Sequence, residues 1–187
     1  MFNTILKQHL DCFARLKSLG EDIETVGAVL AETIQSGGKI LVCGNGGSAA
    51  DAQHFAAELI GRFEQERNAW PAIALTTDTS ILTAIGNDYG FADIFARQVQ
   101  ALGRQGDALI GISTSGNSEN VMRAIATAKQ QQIKTIGLAG GDGGYLKTQV
   151  DRSIVIDQSI TARIQETHLF ILHFWALQIE QHMQSLT

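Results

Sequence analysis

Five short, nearly continuous apolar runs punctuate this chain, at residues 39–43, 72–75, 108–112, 135–138 and 153–156. Runs of that length without polar alternation suit strands covered on both faces. Amphipathic helical patterns separate them, at about 48–62, 79–101, 118–131 and 143–149. Alternation of this kind implies right-handed βαβ crossovers, and so a parallel sheet with helices packed on it. The expected fold is α/β: a five-stranded parallel sheet in flavodoxin-like order, flanked by helices, with two more helices ahead of it.

Those two helices read from their apolar stripes. Residues 4–19 place Ile5, Leu6, Leu10, Phe13 and Leu16 on one stripe, with Gly20 as the expected stop. Residues 21–36 turn Ile23, Val26, Leu30 and Ile34 inward and close on Gly37-Gly38. The last helix, about 160–183, is different. From Leu169 through Trp175 it is apolar all round, and a helix like that needs cover on every side. One small domain has little room for it, so packing between copies of the chain is expected.

Composition narrows the partners. The 187 residues carry a formal charge of −5 and no basic run, which argues against nucleic acid. The uncharged stretch 167–179 is too short to span a bilayer and holds two His. The N-terminus carries Asp11 and lacks the apolar core of a secretion signal. Two cysteines, Cys12 and Cys43, make no disulfide framework, so a reducing cytoplasm is expected. With no linker or repeat, the chain reads as one domain over 1–187, its first 36 residues serving oligomerisation. The 19 glycines against 1 proline point to tight turns where backbone approaches backbone or ligand.

In such sheets ligands bind beyond the carboxyl ends of the strands, and two loops there are informative. Gly44-Asn45-Gly46-Gly47-Ser48 lies between the first strand and a helix. Its glycines bring backbone N–H groups close to an anion at a helix N-terminus. Through Ala49 it also satisfies the dinucleotide pattern G-x-G-x-x-A, but the acidic residue expected about 20 positions on is missing. Ser48 and Asp51 fit a capping box. Ser113-Thr114-Ser115-Gly116-Asn117-Ser118 follows the third strand, with four hydroxyls in six residues. Such a loop can wrap a phosphate without a lysine.

His54 and Glu58 stand four apart on the helix behind the glycine loop, so both side chains share a face. An imidazole and a carboxylate so placed form a surface ion pair or two zinc ligands. Gln165, His168 and His173 lie on the last helix. His168 reads as a core histidine. His173 sits between Leu172 and Phe174, where burial depresses basicity unless a carboxylate or metal accompanies it.

Taken together, CGNGGSAADAQHFAAELIGRF, AIGNDYGF, GISTSGNS, GDGG and ARIQETHLFILH resemble the sugar isomerase (SIS) domain family over essentially the whole chain. Within it the match is to bacterial sedoheptulose 7-phosphate isomerases, the phosphoheptose isomerases. The resemblance implies that Asn45, Gly46, Gly47 and Ser48 line the substrate site and that Asn87 and Asp88 contact the sugar chain. It implies that Ser113, Thr114, Ser115 and Ser118 hold the phosphate. It matches His54, Glu58, Gln165 and His173 to the positions that bind zinc in metal-bound members, with Glu58 and Gln165 also meeting substrate. Glu58 and His173 match the catalytic acid/base pair, and the family's usual assembly is a homotetramer. Gln165 and His173 are eight residues apart, about 12 Å along one helix axis, so a ligand donated by a neighbouring subunit is expected.

A second branch of the family shares the fold and tetramer but works as a scaffold for a replication initiator. That branch lacks the carboxylate and second His found here as Glu58 and His173. Two positions lean toward it: Ala162, where many heptose isomerases carry an Asp before the Arg of RIQE, and GGSAADAQH in place of GGSHCDAMH. The leading expectation is an aldose–ketose isomerase acting on a seven-carbon sugar phosphate.

Overall fold

The computed structural model describes residues 1–186. The chain opens with α1 (Phe2–Arg15), a 3₁₀ turn (Leu16–Leu19) and α2 (Gly20–Gln35). Then come β1 (Ile40–Gly44), α3 (Gly47–Ile60), β2 (Ala72–Ala74) and α4 (Thr79–Asp88). After a 3₁₀ turn (Phe91–Asp93) follow α5 (Ala96–Leu102), β3 (Ala108–Ser113) and α6 (Glu119–Gln130). The chain continues through β4 (Lys134–Gly140), α7 (Leu146–Gln149), β5 (Arg152–Ile156) and the long α8 (Thr161–Gln184).

All four strand pairings are parallel, in the order β2-β1-β3-β4-β5. This is the expected sheet. Successive side chains on a strand point to opposite faces, and both faces are apolar. Ile40, Val42, Ala108, Ile110, Ile112, Ile136 and Leu138 join one core with α2, α3 and α8. Leu41, Cys43, Leu109 and Ala139 join the other, with α5, α6 and α7. The uninterrupted hydrophobicity of the strands follows from this double cover.

Three local expectations are corrected. Gly20 does not stop a helix; it has helical φ/ψ and opens α2, directly after the 3₁₀ turn. The single helix expected over 79–101 is two, because Gly90 takes a φ of +97° after α4 ends, and a 3₁₀ turn precedes α5. Over 143–149 only the four residues of α7 are helical, for Gly143 and Gly144 both have positive φ.

The inward residues of α2 are buried as expected. On α1, by contrast, Phe2, Ile5, Leu6 and Leu10 remain exposed. α8 is buried on the faces carrying Ile171, Leu172, Trp175, Ala176 and Ile179, whereas Phe170 is 48% exposed. The fixed point of α8 is Trp175, fully buried, whose indole N–H donates to the Ile23 carbonyl of α2 at 2.8 Å. Trp175→Ala is expected to cost about 3–5 kcal/mol, read as a lower urea midpoint. A loss below about 1 kcal/mol would show that this contact does not anchor α8.

Candidate active site

Parallel pairing places the ends of β1 and β3 side by side, with Gly44 opposite Ile112. The glycine loop and the hydroxyl loop therefore leave the sheet as neighbours. They are joined directly: Asn45 and Asn120 exchange a reciprocal pair of amide hydrogen bonds, both 2.8 Å. Asn120 is 3% exposed, and its Oδ1 also accepts from the Val121 N–H. Sequence reading missed Asn120 because nothing local marks it out from any other polar residue in a first helical turn.

At the glycine loop, Gly46 takes a φ of +57°, so the chain turns into α3 through a conformation that favours glycine. Gly47 faces α8: a Cβ there would press on the side-chain amide of Gln165, which would have to move aside. Ser48 is buried, whereas Asn45 is half-buried and Gly46 and Gly47 are exposed. The expected capping box is absent. Gly46 is the N-cap and no side chain caps the helix. Asp51 Oδ2 is instead buried without a partner, and burial pushes its pKa up to about 6, against the opposing influence of His54.

In the second loop the hydroxyls hold one another. Ser113 Oγ is 2.9 Å from Ser118 Oγ, and Ser115 Oγ accepts from the Asn117 N–H. The turn before α7 ties in as well, with the Tyr145 N–H donating to Asn117 Oδ1 and the Leu146 N–H to the Gly116 carbonyl. The α6 N-terminus follows directly, and its one first-turn carboxylate, Glu119, is paired with Arg123. Ser115 is exposed and Thr114 half-buried, so this loop offers donors at a helix N-terminus.

His54, Glu58 and His173 converge. His54 Nε2 is 3.0 Å from Glu58 Oε1 and 2.8 Å from His173 Nε2. One donor atom from each lies within 4.8 Å of the others. All three come from one chain, so no neighbouring subunit is needed to bring His173 to the other two. Burial and the adjacent His54 hold the His173 pKa below its ordinary value, against the opposing pull of Glu58. Phe63 packs on the His173 ring at 5.5 Å. Gln165 is placed against the glycine loop at Gly47. Asn87 and Asp88 sit at the end of α4, exposed, with the Asn87 amide donating to Asp88 Oδ1.

Two imidazole Nε2 atoms and a carboxylate oxygen turned toward one point form a donor set that suits zinc, in number and in chemistry, with a position left for substrate. The 2.8 Å between the two Nε2 atoms is also that of an ordinary N–H···N hydrogen bond, one ring donating to the other.

The sequence profile of the SIS domain matches residues 6–140. The phosphoheptose isomerase of a Nitratiruptor species is 54% identical over 177 residues, covering 94% of this chain and 95% of that one. The structure of a phosphoheptose isomerase from Neisseria gonorrhoeae superposes with a TM-score of 0.91 at 43% identity, covering 96% and 97% of the two chains. One from Francisella tularensis superposes with a TM-score of 0.93 at 40% identity, covering 96% of each. The chain belongs to the SIS-domain family and, within it, to the phosphoheptose isomerases. The scaffold reading gains no support from these relatives. No described helix is long and apolar enough to cross a membrane.

His168 is the core histidine its sequence context suggests. It is fully buried, with Nε2 3.2 Å from the Ala139 carbonyl, and burial pushes its pKa down to about 4 from 6.5. Between those values the unfolded chain binds the extra proton, so stability falls as pH drops from about 6.5 to about 4. In His168→Gln the slope of unfolding free energy across that window should be shallower than in the parent. An unchanged slope would contradict a histidine buried neutral.

Proposed function

We propose that this isomerase interconverts D-sedoheptulose 7-phosphate and D-glycero-D-manno-heptose 7-phosphate, the entry to nucleotide-activated heptose. The observation that supports it best is the meeting of His54, Glu58 and His173 beside two loops suited to a sugar phosphate. The Ser113–Ser118 loop grips the phosphate through Ser113, Thr114, Ser115 and Ser118. The glycine loop, with Asn87 and Asp88, holds the sugar hydroxyls. Fixing the far end of the substrate aligns C1 and C2 with the acid/base groups.

The reaction moves one proton between carbons. Glu58 removes the proton from C1 of the ketose while O2 takes a proton from His173. The resulting cis-enediol accepts the carbon proton back at C2, and O1 returns its proton to His173, which leaves the aldose. Electrons and protons balance within the substrate. His54, Glu58, Gln165 and His173 would hold one zinc ion, which when bound supplies polarisation of the substrate oxygens.

The assembly is proposed to be a homotetramer. Phe2, Ile5, Leu6 and Leu10 on α1 and Phe170 on α8 are exposed, and an apolar cavity of about 310 Å³ opens between Phe13, Ile23, Phe170 and Phe174. A second copy would cover this surface, using the segment 1–36 of a single SIS domain. Both cysteines are free and buried, which fits a cytoplasmic location; recovery from a periplasmic fraction would contradict it.

Purified protein given sedoheptulose 7-phosphate should generate an aldose anomeric signal by NMR. Glu58→Gln and His173→Gln should each lower kcat by about 10²–10⁴-fold, while Ser115→Ala mainly raises KM. Near-normal kcat in Glu58→Gln would remove it as the base. Native mass spectrometry is expected to show four chains with one zinc each. A monomer would overturn the assembly, and a metal-free, fully active tetramer would reduce the four residues to an acid/base cluster.

A further inference from the structure

One charge pair is buried on both sides, between α8 and the loop that follows α3. The side chains of Arg67 and Glu180 are 8% and 1% exposed, with Nε 3.1 Å from Oε1. Glu180, on α8, also accepts from three consecutive backbone N–H groups, those of Phe63, Glu64 and Gln65. Burial alone would raise its pKa; the Phe63 and Glu64 donors and Arg67 outweigh that and hold it below the ordinary carboxylate value. Most of the other Arg67 donors reach the end of α3. Its Nη2 donates to the Glu58 carbonyl at 2.7 Å, and Nη1 donates to those of Leu59 and Gly61, as well as to that of Asn68 in its own loop. The guanidinium lies 3.6 Å over the Trp70 ring.

The arrangement answers a need of α3. The last carbonyls of a helix have no intrahelical partner and carry partial negative charge, and α3 has no basic residue in its final turn. Arg67 reaches back from the following loop to satisfy them. A buried guanidinium then requires a carboxylate, and α8 supplies it. The consequence reaches the acid/base groups on both sides. Arg67 bonds the backbone of Glu58 itself. Glu180 lies two helical turns after His173 on α8, and it bonds the backbone of Phe63, whose ring packs on His173.

We propose that Arg67 and Glu180 are positioning residues of the isomerase: their buried pair sets α3 against α8 so that Glu58 and His173 face the same substrate carbons. This rests on Glu58 and His173 being the acid/base pair. Neither Arg67 nor Glu180 touches substrate.

Two variants test it. Arg67→Lys keeps the charge opposite Glu180 but cannot make the same fan of carbonyl bonds. Arg67→Met/Glu180→Gln removes both charges together, which avoids an unpaired buried ion and preserves folding where a single deletion does not. Each is assayed on sedoheptulose 7-phosphate after circular dichroism and sedimentation have established parental fold and assembly. The expected result is a kcat lowered by about 10–100-fold, the size of effect that a displacement of about 1 Å produces, with KM within about threefold because the phosphate loop is untouched. A folded, assembled variant with parental kcat overturns the proposal, and so does a loss that falls on KM alone. If Arg67→Lys fails to fold, the double variant decides. An inactive parent enzyme would instead overturn the isomerase reading, and this assignment with it.

Discussion

The parallel pairing of β1 with both β2 and β3 is the constraint on which the rest of this molecule depends. It makes β1 the strand where the chain's order across the sheet reverses, and there the helices that follow the flanking strands diverge to opposite faces. α3 leaves β1 toward the core shared with α8, while α6 leaves β3 toward the other. The space between their first turns is where the glycine and hydroxyl loops stand. The Asn45–Asn120 amide pair spans that space and joins the loops. Without parallel pairing at the centre, residues 75 positions apart would have no reason to meet.

α8 carries two duties along one rod. Its inner face, through Trp175 and Ile179, belongs to the core under the sheet. Its other positions carry Gln165, His173 and Glu180 at intervals that reach the glycine loop, the His54–Glu58 face and the end of α3 in turn. Because the helix is gripped by α2 through the Trp175–Ile23 bond, the polar residues are presented by a rigid element rather than by a loop.

The sheet was legible from the sequence because strands covered on both faces lose polar alternation, and short apolar runs such as 39–43 and 108–112 alternate with helical patterns. The helix breaks were less legible. Gly90 ends a helical pattern that its neighbours would continue, and Gly20 sits within a helical path where a stop was expected. Glycine tolerates both a left-handed φ, as at Gly90, and a helical one, as at Gly20, so the residue type alone does not say which it takes. For the site, His54 and Glu58 announced themselves by spacing on one helix. His173 stands 119 residues away, so only the family resemblance joined it to them. Asn120, Arg67 and Glu180 went unread for a related reason. A polar residue in a first turn, an arginine in a loop and a glutamate near a C-terminal helix end all look solvated until tertiary packing closes over them. The capping box failed similarly: Ser48 and Asp51 have the right spacing, but Ser48 is buried and Asp51 has no bond to the helix end.

The contact between Gly47 and Gln165 has a consequence for how this fold can vary. A side chain at position 47 would occupy space already taken by the Gln165 amide, so these two sites form an epistatic couple between the glycine loop and the last helix. A lineage that enlarges the loop displaces the end of the Gln165 side chain, which a flexible amide can swing aside, and with it whatever that amide holds. Divergence toward other sugars should therefore begin elsewhere on the rim, where exposed positions such as Asn87 and Asp88 can change one at a time.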